Sequence, residues 1–299
     1  MKRPITILIA GATGYLGSHI VELMIAQDRV FKALARNKRK LLAMELSETQ
    51  ITEAQVTQPD EIKGVCDDVD VVISCLGITR QQDGLSYQDV DYQANLNLLQ
   101  EAERAGVRKF IYISAFNAQK YPQVRLLNAK ERFARRLLQS NSVTPCVIRP
   151  NGFFSDLTEV LNMAKSGRVF TFGRGESRLN PIDGRDLAEF CLAAIDREET
   201  ELDVGGPQIL SLNEISQLAF AALDKPERVT HLPDGLRRFA LALTRRLPEK
   251  WGGPAEFFLT MLGQDSCAPL YGKHRIGDHF RQLTAQAEDG ADTTNPRTS

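Results

Sequence analysis

The chain has 299 residues, 42% of them hydrophobic and 25% charged, a composition that suits a soluble globular protein with ample core. A net charge of −1 supplies no global field to attract nucleic acid or an anionic surface, so no nucleic-acid partner is expected. Five scattered cysteines, odd in number and without metal-ligand spacing, read as reduced thiols in a cytoplasmic setting, and the four histidines form no ligand cluster, so no metal is expected.

Met1-Lys2-Arg3-Pro4 leads into too short an apolar run for a signal-peptide core, and no apolar stretch nears the roughly 20 residues needed to span a bilayer. From Ile5 to Ile148, short apolar runs alternate with amphipathic stretches, the pattern of βαβ units and a parallel sheet. Ile5–Ala10, Phe31–Arg36, Val69–Ser74, Lys109–Ser114 and Thr144–Ile148 are predicted strands, with Ile51–Ala54 a weaker one. Leu16, Ile20, Leu23 and Met24 recur at helical spacing, as do Leu96, Leu99 and Ala102, and Asn128–Gln139 is a further helix.

Past Arg149-Pro150 the rhythm shifts to helices: Asp156–Lys165, Asp183 or Gly184 to Ile195, Leu210–Leu223 and Asp234–Leu247, with a short strand at Val169–Phe172. The polar stretch from Thr284 to Ser299 predicts a disordered tail. The expected organisation is an α/β, doubly wound parallel-sheet Rossmann core over 1–150. A smaller, mostly helical C-terminal lobe over 151–283, interleaved with that core, follows, then the tail over 284–299.

Gly11, Gly14 and Gly17 follow the first strand and open a helix. Glycine there permits the tight turn, close approach of backbone to a pyrophosphate, and helix–strand packing. The turn Gly11-Ala12-Thr13-Gly14-Tyr15-Leu16-Gly17 is therefore a candidate phosphate cradle, with the positive end of the helix dipole behind it. About 20 residues on, Leu34 to Lys40 carries Arg36 and no carboxylate, which favours the 2′-phosphate of NADP(H) over the free ribose hydroxyl of NAD.

The Gly-x-x-Gly-x-x-Gly spacing, Val72 to Gly77, Val90-Asp91-Tyr92 with Asn95, Phe110 to Ser114, Ile148 to Phe154 and Asn180-Pro181-Ile182 together resemble the atypical short-chain dehydrogenase/reductase superfamily. The similarity points to its branch of NmrA-like, isoflavone-reductase-like and divinyl-chlorophyllide-reductase-like proteins and covers most of the chain. It implies that Cys75, Leu76, Gly77, Ser114 and Lys130 line the cofactor, and that the main chain from Pro150 through Gly152 to Phe153 flanks the nicotinamide. That branch contains both reductases and cofactor-binding proteins without turnover.

A typical member pairs a catalytic tyrosine with a lysine four residues later. None of the six tyrosines has that lysine. Lys130 matches the lysine by position, but four residues before it stands Leu126. Resemblance to isoflavone-reductase-like enzymes allows Lys130 an acid/base role; holding ribose or facing solvent is the alternative. Tyr121, in the loop before that helix, is a second candidate proton donor. The helix Gly235–Leu247 puts Leu236, Phe239, Ala240, Leu243 and Leu247 on one stripe among four arginines. Such a stripe is expected to close a pocket or pack on the core, with membrane contact through 235–247 the lesser alternative. The expected function is NADP(H)-dependent reduction of an apolar small molecule, with a non-catalytic redox-sensing or assembly role beside a protein partner as the alternative.

Overall fold

A computed structural model describes residues 4–79 and 84–292; Met1 to Arg3 and the end of the expected tail, 293–299, lie outside the described residues. Six strands alternate with helices in the first half. They are β1 (Ile7–Ala10), β2 (Phe31–Ala35), β3 (Ile51–Glu53), β4 (Val71–Ser74), β5 (Lys109–Ile113) and β6 (Thr144–Pro150). The helices between them are α1 (Tyr15–Ala26), the single turn α2 (Arg39–Leu42), α3 (Asn95–Ala105) and α4 (Arg125–Leu138). The second half adds α5 (Thr158–Lys165), β7 (Val169–Phe172), β8 (Arg178–Leu179), α6 (Gly184–Ala193), β9 (Glu201–Val204), β10 (Leu210–Ser211) and α7 (Leu212–Ala222). After these come β11 (Val229–Leu232), α8 (Asp234–Thr244), α9 (Glu249–Met261) and α10 (Ile276–Asp292).

The main sheet has seven strands in the order β3-β2-β1-β4-β5-β6-β9, and all its pairings are parallel. The order reverses between β1 and β4, so the crevice at the carboxyl ends of these two strands is where such folds hold ligands. Successive side chains alternate faces. Ile7 and Ile9 pack with Ile20, Met24 and Leu187 under α1 and α6, while Leu8 and Ala10 pack with Leu98 and Phe133 under α3 and α4. Burial on both faces explains why these strands read as continuous apolar runs. A third core joins α5, α7 and α10 through Leu161, Ile215, Phe220 and Phe280.

Several elements escape the sequence pattern, and two of them change the expected organisation. The seventh strand, β9, comes from beyond residue 150 and pairs with β6 through Val147–Glu201 to Pro150–Val204, so the core borrows from the C-terminal half. The last helix runs through Asp292, which corrects the expected tail: 284–292 is helical. Polarity predicted disorder, but Ile276 and Phe280 anchor the helix in the third core and propagate it into polar sequence.

The stripe on α8 is also corrected. It faces outward, leaving Leu236, Phe239, Leu243 and Leu247 between 44% and 61% exposed, while Arg237 and Thr244 are buried. The reason is polar anchoring. Arg237 donates to Asp234 at 2.6 Å and to the Leu259 carbonyl at 2.8 Å, and Arg125 of α4 donates to the carbonyls of Thr244 and Leu247, each at 3.0 Å.

Candidate functional site

Gly11 ends β1 with φ of +78°, a left-handed conformation that glycine adopts without strain. A Cβ on Gly17 would approach the Gly11 carbonyl oxygen to 2.2 Å, so the turn closes on itself only with glycine at that position. No side chain caps α1 and its first turn has no acid, leaving the first-turn N–H groups of Tyr15, Leu16 and Gly17 without intrahelical acceptors. Exposed amides at a helix N-terminus beside a glycine turn form a receptor for phosphate oxygens.

The turn opens onto a groove of about 350 Å³ along the carboxyl ends of β1, β2 and β4. Gly11, Thr13, Gly14, Arg36, Leu76 and Gly77 line it, with Cys75 behind. Burial pushes the Cys75 thiol up to about 12, which removes it as a nucleophile at neutral pH. Strand register sets Glu53 of β3 beside Ala35, and its carboxylate accepts the Lys38 N–H at 3.2 Å. That acid was invisible in the Leu34–Lys40 segment; the structure engages it with the backbone of the basic loop. The groove fits a dinucleotide: a cradle of amides, a Cβ-free floor and a cation at the end of β2.

Not every predicted residue presents its side chain here. Leu16 is in the core at 5% exposure, so only its backbone faces the turn. The Tyr15 hydroxyl accepts the Gly184 N–H at 3.1 Å, and its ring meets His19 edge-on and Phe153 at a tilt. Burial pushes this phenol up to about 12, keeping it neutral.

Lys130 is drawn into a cluster that spacing alone did not reveal. Its Nζ lies 2.9 Å from the fully buried Asp91, which sits on a π-helical segment, Gln88–Ala94. Such segments cluster at functional sites, and Val90-Asp91-Tyr92 was the signal in the sequence. The Tyr112 ring lies 5.8 Å from Lys130 Nζ. Burial alone would lower the lysine, but the Asp91 carboxylate and the Tyr112 hydroxyl outweigh it and hold the ammonium form. A Cβ on Gly77 would come within 2.8 Å of both Lys130 Nζ and Asp91 Oδ1, so the pair stands directly behind the groove wall. Asn95 ties the two together. It accepts from Ser74 Oγ at 2.6 Å and donates to the Asp91 and Leu76 carbonyls at 3.1 and 3.4 Å. At the end of β5, the Ser114 hydroxyl is buried without a hydrogen-bond partner among the described residues. Leu126, where the typical tyrosine would stand, is buried against Tyr87 and Ala129.

A second cavity, about 380 Å³, opens at the carboxyl ends of β5 and β6. Pro150, Gly152 and Phe153 form one wall, and Phe257, Phe258 and Met261 of α9 form another. Among its described lining residues there is no Lys, Arg or His, whereas Asp156 and Glu159 are present. Asn151 and Asn180 stitch its base: Asn151 donates to Asn180 at 2.6 Å, Ser266 donates to Asn151 at 2.8 Å, and Ala268 N–H donates to Asn180 at 2.9 Å. Tyr121 does not line this cavity. Its hydroxyl donates at 2.8 Å to Gln264, which does, so the sequence places Tyr121 one residue away from the space it was expected to reach.

The parallel sheet, its switch point and the glycine turn define a Rossmann-type NAD(P)-binding protein. Residues 11–198 match the family described as NAD(P)H-binding, and the chain belongs to that family. It is 26% identical to divinyl chlorophyllide a 8-vinyl-reductase of Cucumis sativus, over 95% of this chain and 77% of that protein. It is likewise 26% identical to photosystem II assembly factor Ycf39 of Synechocystis sp., over 80% of this chain and 74% of the relative. Among solved structures, NADPH-dependent quinone oxidoreductase of Escherichia coli complexed with NADPH superposes with a TM-score of 0.68 at 18% identity, covering 93% of this chain and 99% of the other. A nucleoside-diphosphate-sugar epimerase of Staphylococcus aureus superposes equally well, at 17% identity over 93% and 96% of the two chains. At such identities these structures share the fold. Among the described residues, no helix is long and apolar enough to cross a membrane.

Proposed function

We propose that this chain is an NADP(H)-dependent reductase of a neutral, apolar small molecule. The observation that carries this reading is that two spaces open on the same carboxyl edge of the sheet at neighbouring strands: the glycine-turn groove at the ends of β1, β2 and β4, and an aromatic-walled cavity at the ends of β5 and β6, with β4 paired to β5. Gly11 to Gly17 hold the pyrophosphate in this reading, Arg36 holds the 2′-phosphate, and Pro150 to Phe153 flank the nicotinamide, which supplies hydride when bound.

Charge selects the substrate class. A diphosphate or carboxylate substrate needs cationic partners, and the cavity lining carries only acidic ones. Nucleotide sugars, named for several structural neighbours, are therefore disfavoured, as are substrates carrying a free carboxylate. The Lys130 ammonium is held by Asp91, so it serves to position the ribose more readily than to shed a proton. Tyr121, whose hydroxyl donates to Gln264 at the edge of the cavity, is the candidate proton donor, and it delivers a proton only when Gln264 turns aside and the hydroxyl faces the substrate directly.

A second reading, an NADP(H)-binding assembly or sensor protein, draws support from Leu126 in place of the tyrosine and from the unpartnered face of α8. A relative at 26% identity is named as an assembly factor. The deciding measurement is NADPH oxidation against matched neutral and carboxylate-bearing enones and quinones, on the unmodified protein, Lys130→Met and Tyr121→Phe. The reductase reading expects turnover of neutral substrates only. Lys130→Met should then weaken NADPH binding while turnover recovers at saturating cofactor, and Tyr121→Phe should lower kcat. Absence of turnover across the panel, with NADPH still bound, favours the sensor reading.

A further inference from the structure

At the α8–α9 corner large apolar side chains face solvent while Arg237 and Thr244 are buried. Phe239 is 61% exposed, Leu236, Leu243 and Leu247 are nearly half exposed, and Trp251, at the start of α9, is 71% exposed. A Cβ on Gly252 would touch the Thr244 carbonyl and Leu247, so the start of α9, which carries Trp251, packs against the end of α8. Five large apolar side chains exposed within one short helical corner are more than the scattered single exposures that need no explanation.

The charge around this set is specific. Between residues 234 and 251 there are five basic and two acidic side chains, a local excess of three positive charges in a chain whose net charge is −1. The acids are turned inward or occupied: Glu249 accepts the Tyr87 N–H at 2.7 Å, and Asp234 is held by Arg237 and Arg238. Arg238, Arg245, Arg246 and Lys250 are exposed around the apolar residues, and Lys250 Nζ lies 5.7 Å from the Trp251 ring centroid.

We propose that this corner docks the protein onto an anionic lipid surface, with α8 lying in the plane of the interface. An exposed aromatic and aliphatic face rimmed by long basic side chains matches the interfacial region of a bilayer, where tryptophan settles and Lys and Arg reach the headgroups. A second copy of the chain is a poorer occupant. A two-fold contact would place the same basic rim against itself. The docking is peripheral, since none of the described helices can span.

Trp251 is the chain's single tryptophan, so it reports directly on its own surroundings. The experiment titrates the full-length protein with vesicles of phosphatidylcholine alone and of phosphatidylcholine with phosphatidylglycerol, following emission and co-flotation. The expected result is a blue shift and flotation with the anionic vesicles, at least ten-fold weaker binding to neutral ones, and loss in 1 M salt. Phe239→Ser/Leu243→Ser and, separately, Arg246→Glu/Lys250→Glu should each abolish flotation while leaving NADPH binding intact, which shows that the variants fold. No shift with anionic vesicles at low salt overturns the proposal, as does flotation unchanged in both double variants. Concentration-dependent dimerisation removed by Phe239→Ser/Leu243→Ser would assign the face to a second copy and overturn it as well.

Discussion

Arg36 and Gly17 do separable jobs. Arg36 lines the groove at the end of β2, where the proposed reading puts the 2′-phosphate. Arg36→Ala is expected to weaken NADPH by about 1–3 kcal/mol, the scale of charge-assisted hydrogen bonds, and to leave NADH nearly unchanged. Calorimetric titration with both nucleotides checks this; equal losses for the two would remove Arg36 from the phosphate site. Gly17 acts on the turn itself. Its Cβ would strike the Gly11 carbonyl and the Ala12 Cα, both backbone, so Gly17→Ala must displace the loop. A loss of about 1–3 kcal/mol in urea unfolding is expected, with weaker binding of both nucleotides. Gly14 differs: a Cβ there meets only the Gly11 carbonyl at 3.2 Å, a tight contact that a shift of a few tenths of an ångström in the turn relieves, while a branched side chain would in addition obstruct the proposed pyrophosphate position.

At the level of elements, an ion pair with a buried carboxylate helps fasten α9 to the Rossmann core. Arg125 Nε meets Glu256 Oε2 at 2.8 Å, Glu256 is 2% exposed, and Arg245 stands farther off at 3.8 Å. Removing the arginine strands a buried carboxylate, which typically costs about 3–5 kcal/mol, whereas replacing both partners by apolar residues is far milder. Arg125→Leu should therefore destabilise strongly in denaturant unfolding, and Arg125→Leu/Glu256→Leu should regain most of the loss. If the double variant is no better than the single one, the pair is not what holds α9. Because Phe257, Phe258 and Met261 follow on the same helix, the single variant should also loosen the apolar cavity.

Across the whole molecule, the C-terminal core carries a pH dependence. His279 on α10 packs against Phe154 with ring centroids 5.5 Å apart, and its Nε2 is buried without a hydrogen-bond partner among the described residues. Burial holds its pKa below the ordinary 6.5. The folded state thus prefers the neutral ring. The associated stability is complete above pH 6.5 and is lost as the pH falls from there through the depressed folded value. Thermal unfolding between pH 7.5 and 5 should show a fall in Tm that His279→Phe flattens. Identical slopes for the two proteins would remove His279 as the cause.

The sequence by itself determined the Rossmann half: its strands, the glycine turn and the basic end of β2 are all set by local spacing, and period and turn chemistry survive in one dimension. Lys130 was also legible, but its surroundings were not, because Asp91 and Tyr112 reach it only through the packing of the π-helical segment and β5 against α4. The tertiary structure alone decided three other matters. Glu201–Val204 closes the sheet because β6 offers it an edge, not because its few residues announce a strand. The last helix continues past Thr284 because a buried anchor propagates it. Finally, α8 turns its leucines outward because Arg237, Arg125 and the carbonyls they satisfy lie on its other side. Amphipathic spacing specifies that a helix has two faces; which face meets the protein depends on the partners waiting there.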